Sequence, residues 1–244
     1  MSFERSPGLP AEPGATPPPG AESAADGRLT PAMRLQILST EHWSLLASRS
    51  LAWNESFSRA GMFLSTLSGA IVALALVAQA SNFGEGFRIF ALVILPVVLL
   101  VGIGTLLRMG ISNYHDALTV IGMNRIRAAY MELAPELKRY FVMGTTDDER
   151  GVNLTMAVHP GTTLAVQMLA STPLLVTILD GLLAAAIIAL LAIQLGAATS
   201  LGLLLGALGF VATVGGFVWY AGRDIRRIID AHQPLFPGPT DPTS

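Results

Sequence analysis

Four apolar runs govern what this chain can fold into. Each is long enough to cross the roughly 30 Å of bilayer hydrocarbon that about 20 helical residues span. The first, residues 61–80, carries no charge, and the second, 89–109, is charged only near its end, at Arg108. The third, 174–195, contains one carboxylate, Asp180, and the fourth covers 201–221. Only 13% of the residues are charged, about half the share of an ordinary soluble domain, so a water-facing globule is excluded. The balance of 15 basic against 17 acidic residues argues against a polyelectrolyte partner. Without cysteine there is no disulfide framework, Cys-based metal site or thiol nucleophile. The remaining class is an all-α membrane protein.

The spans pair by their links. Residues 81–88 and 196–200 are the only material inside each pair, which predicts two antiparallel hairpins. Orientation follows the arginines. One basic residue, Arg88, lies in the first link and none in the second, while the other 14 flank the pairs. Both termini and the middle segment are therefore expected in the cytoplasm, with Trp219 and Tyr220 at the inner boundary.

Residues 33–60 and 108–134 read as helical continuations of the first two spans. Trp43, Leu46, Trp53 and Phe57 recur at coiled-coil-like spacing. Ile111, Tyr114, Leu118 and Ile121 form one stripe on the second helix, and Met123, Ile126, Tyr130 and Leu133 another. A hairpin turning near residue 84 places Glu41 opposite Arg125 and Arg127, Glu55 opposite Tyr114 and His115, and Arg59 near 110–113. These helices are thus expected to form a cytoplasmic antiparallel stalk, completing a helical-hairpin region over 33–142.

The flanking regions read differently. Residues 1–32 are rich in Pro, Gly and Ala and read as a disordered tail, with no apolar core of a signal peptide. Pro135 ends the stalk. The linker 143–173 holds a solvated loop or helix start at Asp147-Asp148-Glu149 and a short interfacial helix over 162–170. Ser171-Thr172-Pro173 caps the third span, opening the second transmembrane hairpin over 174–222. Residues 223–244 read as a charged, Pro-rich tail.

A few residues stand out as candidates. Asp180 is the one ionisable group well inside a span, and such a carboxylate is by default a functional hypothesis. It could bind a proton or cation, pair with a basic group such as Arg108, or sit near the positive end of its helix. Gly202, Gly206 and Gly209 permit close helix approach, either within the bundle or across an oligomer interface. Pro96 reads as a static kink or a hinge. Glu41, Arg125, Arg127, Glu55 and His115 are the stalk contacts. No catalytic, cofactor or metal motif is present: His42, His115, His159 and His232 are scattered singly.

The run from Glu41 to Glu55 (EHWSLLASRSLAWNE), with Gly122-Met123-Asn124-Arg125-Ile126-Arg127 and Tyr130-Met131-Glu132-Leu133, resembles a group of uncharacterised actinobacterial multi-pass integral membrane proteins. The resemblance covers about residues 33–150. It implies a bacterial plasma membrane and brings no activity, cofactor or site residue with it.

The expected function is a non-enzymatic scaffold or interaction protein. It sits in the lipid bilayer and presents its stalk to a protein partner or a second copy; nucleic acid has no support. The alternative is an oligomeric ion channel or transporter using Asp180. A membrane enzyme ranks last, because no acid, base and nucleophile cluster is visible.

Overall fold

A computed structural model describes residues 29–158, 161 and 163–238. The expected tail residues 1–28 and 239–244, with His159 and Pro160, lie outside the described residues, as do the side chains of 224–231. The chain forms two compact units, one ending at Glu41 and one starting at His42. The first described turns, from Pro31, belong to the first unit, where the Thr30 hydroxyl accepts from the Met33 N–H at 3.2 Å.

The described residues are helical, without strands. They comprise α1 (Pro31–Ser81), α2 (Glu85–Leu133), a 3-10 turn (Pro135–Tyr140), α3 (Glu149–Thr155), α4 (Leu164–Leu169), α5 (Thr172–Gln194) and α6 (Thr199–Ala231). Four of these, α1, α2, α5 and α6, are long and apolar enough to cross a membrane.

The helix ends follow local chemistry. Ser171 caps α5, its hydroxyl accepting from the Leu174 N–H at 3.3 Å, with Pro173 in the first turn. Gly196 takes φ +93° past the other end, while the N–H groups of Gly196 and Ala197 donate to the Ile193 and Ala192 carbonyls, both at 3.0 Å. That pair of hydrogen bonds closes the last turn of α5, and the positive φ is one that glycine adopts without a Cβ penalty.

The break between α1 and α2 is shorter than expected: helix runs to Ser81 and resumes at Glu85. Hydropathy underestimated both ends, since polar residues at helix termini need not lie in hydrocarbon. Pro96 sits inside the continuous α2, where its missing N–H removes one backbone bond.

Apolar faces of three helices make one core. Phe63, Leu67 and Ala70 of α1 meet Ala91, Leu95, Val98, Leu106 and Met109 of α2, with Val176 and Leu183 of α5. Phe217 of α6 packs at its margin. The α6 glycines close on α5. A Cβ on Gly206 would stand 2.7 Å from the Ala185 carbonyl oxygen, and one on Gly202 2.8 Å from Ile193 Cγ1; Gly209 abuts Ile188. Of the two uses expected for these glycines, the structure displays the one inside the chain.

The aromatic stripe on α1 is largely exposed. Trp43, Trp53 and Phe57 are 71%, 45% and 54% exposed, and Leu46 is exposed too. Neighbouring positions face α2 instead. His42 stacks on Tyr130 with centroids 6.0 Å apart, Leu45 touches Gly122, and Ala60 and Phe63 are buried. One residue is about 100° of helix rotation. The inner face is chosen by Arg49, whose partner lies on α2, and by the small Ala60. On α2 the stripe from Ile111 to Leu118 is exposed, whereas Met123 and Ile126 are buried.

Candidate functional site

Polar groups gather at four places within the unit from His42 onward. The first lies between α1 and α2. Asp116 accepts from Arg49 Nε at 2.7 Å and from the Trp53 indole N–H at 3.2 Å. Asp116 is buried; Arg49 opposite it, within a turn of the expected register, was the available signal in the sequence.

A turn further along, Glu55 takes a fork from Arg108, with Nε at 2.9 Å and Nη2 at 2.7 Å, and a third bond from Arg59 at 3.1 Å. This corrects two expectations. Glu55 pairs with Arg108 rather than His115, and Arg108 is thereby committed away from Asp180. The guanidinium fork matches a carboxylate in a way that imidazole does not. His115 lines the same cleft, together with Ser48, Leu51, Ile111 and Ser112.

The third place joins the end of α2 to the middle and C-terminal segments. Asn124 is fully buried and bonded at both ends of its amide: Nδ2 donates to the Thr146 carbonyl at 2.8 Å, and Oδ1 accepts from Thr155 at 2.7 Å and Arg127 at 2.9 Å. Arg125 Nε donates to Asp147 at 2.8 Å. The cations assigned to Glu41 thus find partners in the 143–158 segment. Of the two readings of Asp147-Asp148-Glu149, a solvated loop or a helix start, a helix does start at Glu149, and Asp147 is fully buried.

Asp147 and Asp148 also hold the C-terminal segment. Leu235 and Phe236 N–H groups donate to the Asp147 carboxylate at 2.9 and 2.8 Å, and His232 Nε2 bonds its carbonyl at 2.9 Å. Gly238 N–H donates to Asp148 at 2.7 Å, while the other Asp148 oxygen caps α3 through the Gly151 N–H at 2.8 Å. Residues 232–238 are therefore a bound strap, where the sequence suggested a tail.

The strap is expected to respond to pH. Burial pushes the Asp147 pKa up, but the Leu235 N–H, the Arg125 guanidinium and the Phe236 N–H outweigh it and hold the carboxyl below its ordinary value. Asp148 behaves likewise: burial raises it, while the Gly151 and Gly238 N–H groups and the Thr146 hydroxyl lower it further. Depressed carboxylates give stability that is fully present above the unfolded value, about 4, and lost as pH falls through the folded one. The amide protection factors of Leu235, Phe236 and Gly238, corrected for the intrinsic exchange rate, are expected to be high at neutral pH and to fall in acid below about 4, before those of α5 and α6. Protection indifferent to acid would contradict these bonds.

The fourth place is in the apolar helices. Asp180 is 1% exposed, and among the described residues neither of its oxygens has a hydrogen-bond partner. It presses on Gly102 of α2, where a Cβ would overlap the carboxylate. Gly102 is a contact that sequence reasoning missed; the signal was a glycine in an apolar run of α2 at the level of the lone carboxylate.

The described residues hold no cluster of three or more His, Asp or Glu fit for a metal ion. Comparison with protein-family models, curated proteins and solved structures gives no match for the chain.

Proposed function

We propose that this chain is a non-enzymatic interaction protein of a bacterial plasma membrane. In this reading α1–α2 and α5–α6 are two antiparallel transmembrane hairpins. The parts of α1 and α2 beyond the apolar runs form an antiparallel stalk in the cytoplasm, where both termini also lie. The stalk meets a protein partner or a second copy. The Arg49–Asp116 and Glu55–Arg108 bonds support the paired stalk, and the arginine distribution supports the orientation.

The observation that carries the reading is the flank of α1 bearing Trp43, Leu46, Trp53 and Phe57, exposed outside the apolar run. Aromatic side chains are enriched where proteins meet. The native chain has no cysteine, so a single one at exposed Ser50 reports on this flank. In native membranes Ser50→Cys is expected to react with maleimide more slowly than in the purified chain, because an occupant covers it. Equal rates would refute the reading.

A second reading, an oligomeric ion channel or transporter using Asp180 with Pro96 as hinge, is favoured by the unpartnered carboxylate. Flux through vesicles holding the purified chain, abolished by Asp180→Asn, would put it first.

A further inference from the structure

A carboxylate stripped of water needs compensation. Burying an ionised one without a partner costs far more than a typical fold can supply. Asp180 lies eight residues into α5 from Thr172, about 12 Å along the helix at 1.5 Å per residue. Among the described residues no opposite charge faces it from the elements packed there. On α2 the nearest charged residue along the helix from Gly102 is Arg108, which is bound to Glu55. On α6, Phe210 and Val214 pack beside Gly181, and the first charge beyond them, Arg223, lies over the Trp219 ring. The apolar run of α1 contains no charge.

Nor is there a cage for a metal cation, which takes several oxygen ligands. Gly102 offers no side chain. The buried hydroxyls nearest in sequence, Thr105 and Thr177, donate to carbonyls of their own helices, Val101 at 2.8 Å and Pro173 at 2.7 Å. A proton removes the charge and needs no further ligand.

We propose that Asp180 is a proton-binding site. It holds one exchangeable proton in the seam between α5 and α2, and gives it up when α5 lifts from Gly102 and water reaches the carboxyl. The proposal concerns the group on which the second reading relies, but it stands without any ion flux. The seam is then a two-state element: closed with the proton, open and hydrated without it.

Infrared spectroscopy of the full chain in lipid vesicles tests this. At neutral pH the spectrum is expected to contain a carboxylic-acid C=O band that shifts in heavy water and is missing from Asp180→Asn. Asn keeps the size that Gly102 accommodates. Should that variant not fold, the wild type alone decides: raising the pH is expected to remove the band while new amide exchange appears in α5. A band absent at neutral pH, a band surviving in Asp180→Asn, or one that never shifts in heavy water would overturn the proposal. Flux assays on the same vesicles are separate, so a channel without the band, or the band without a channel, is told apart.

Discussion

Gly102→Ala is expected to destabilise the helical bundle, although the substitution by itself favours helix. In a helix interior alanine is better than glycine by about 1 kcal/mol. If the space beside Gly102 were open, the variant would therefore melt higher than the parent. Here the new methyl meets the Asp180 carboxylate, with Oδ2 2.7 Å from the Cβ position and Oδ1 closer still. Asp180 is buried and its short side chain has little room to turn. Overpacking of this kind costs about 1–3 kcal/mol, enough to reverse the sign.

The partner identifies the cause. Asp180→Ala removes the obstruction and also a buried polar group without a hydrogen bond, so alone it is expected to be close to neutral. In the Gly102→Ala background it is expected to restore most of the loss. A coupling of about 1–2 kcal/mol in this double-mutant cycle, read from thermal unfolding in detergent, is the signature of residues in contact. Additive effects, or a more stable Gly102→Ala, would remove the α2–α5 contact from the fold.

How much of this was legible differs by level. The four long helices follow from hydropathy because a span is a property of about 20 residues taken together. Ser171, Pro173 and Pro135 marked helix ends because caps act within one turn. The stripe of Trp43, Leu46, Trp53 and Phe57 was legible as one face of a helix, because periodicity gives a face but not what it faces. Arg49 and Ala60 took the inner side, leaving Trp43 and Phe57 outward, while Trp53 keeps only its indole N–H on Asp116 of α2.

The pairings failed in a related way. Opposite charges at roughly the right register suggested Glu41 with Arg125 or Arg127. The 143–158 segment supplied Asp147 and Thr155 as nearer partners, with Asn124 on α2 itself as a third, after a reversal that no local pattern encodes. Asp180 stood out in the sequence because charge is rare in a span; its companion Gly102 did not, since glycine is common there and its meaning lies in what touches it.

Asp147→Ala is expected to have the other large effect, and to have it far from the apolar helices. One buried carboxylate collects Arg125, Leu235 and Phe236. Its removal leaves a guanidinium and two backbone N–H groups without their acceptor. Losing one partner of a fully buried pair costs about 3–5 kcal/mol. The Arg125 side chain keeps 34% of its surface open and can return to water, so a loss nearer 2–3 kcal/mol is expected once that exposure is discounted.

The loss should be local first. Residues 232–238 should become cleavable by protease near Leu235 and Phe236, while α5 and α6 stay intact. Asp148→Ala should release Gly238 and fray α3, leaving Leu235 and Phe236 held. Arg125→Ala tests the division of labour: the two N–H bonds remain, so the strap should stay bound and the melting temperature fall by less. If Asp147→Ala leaves the strap resistant to protease, or Arg125→Ala releases it as fully, then the carboxylate is not what fastens the end of α6 to the end of α2.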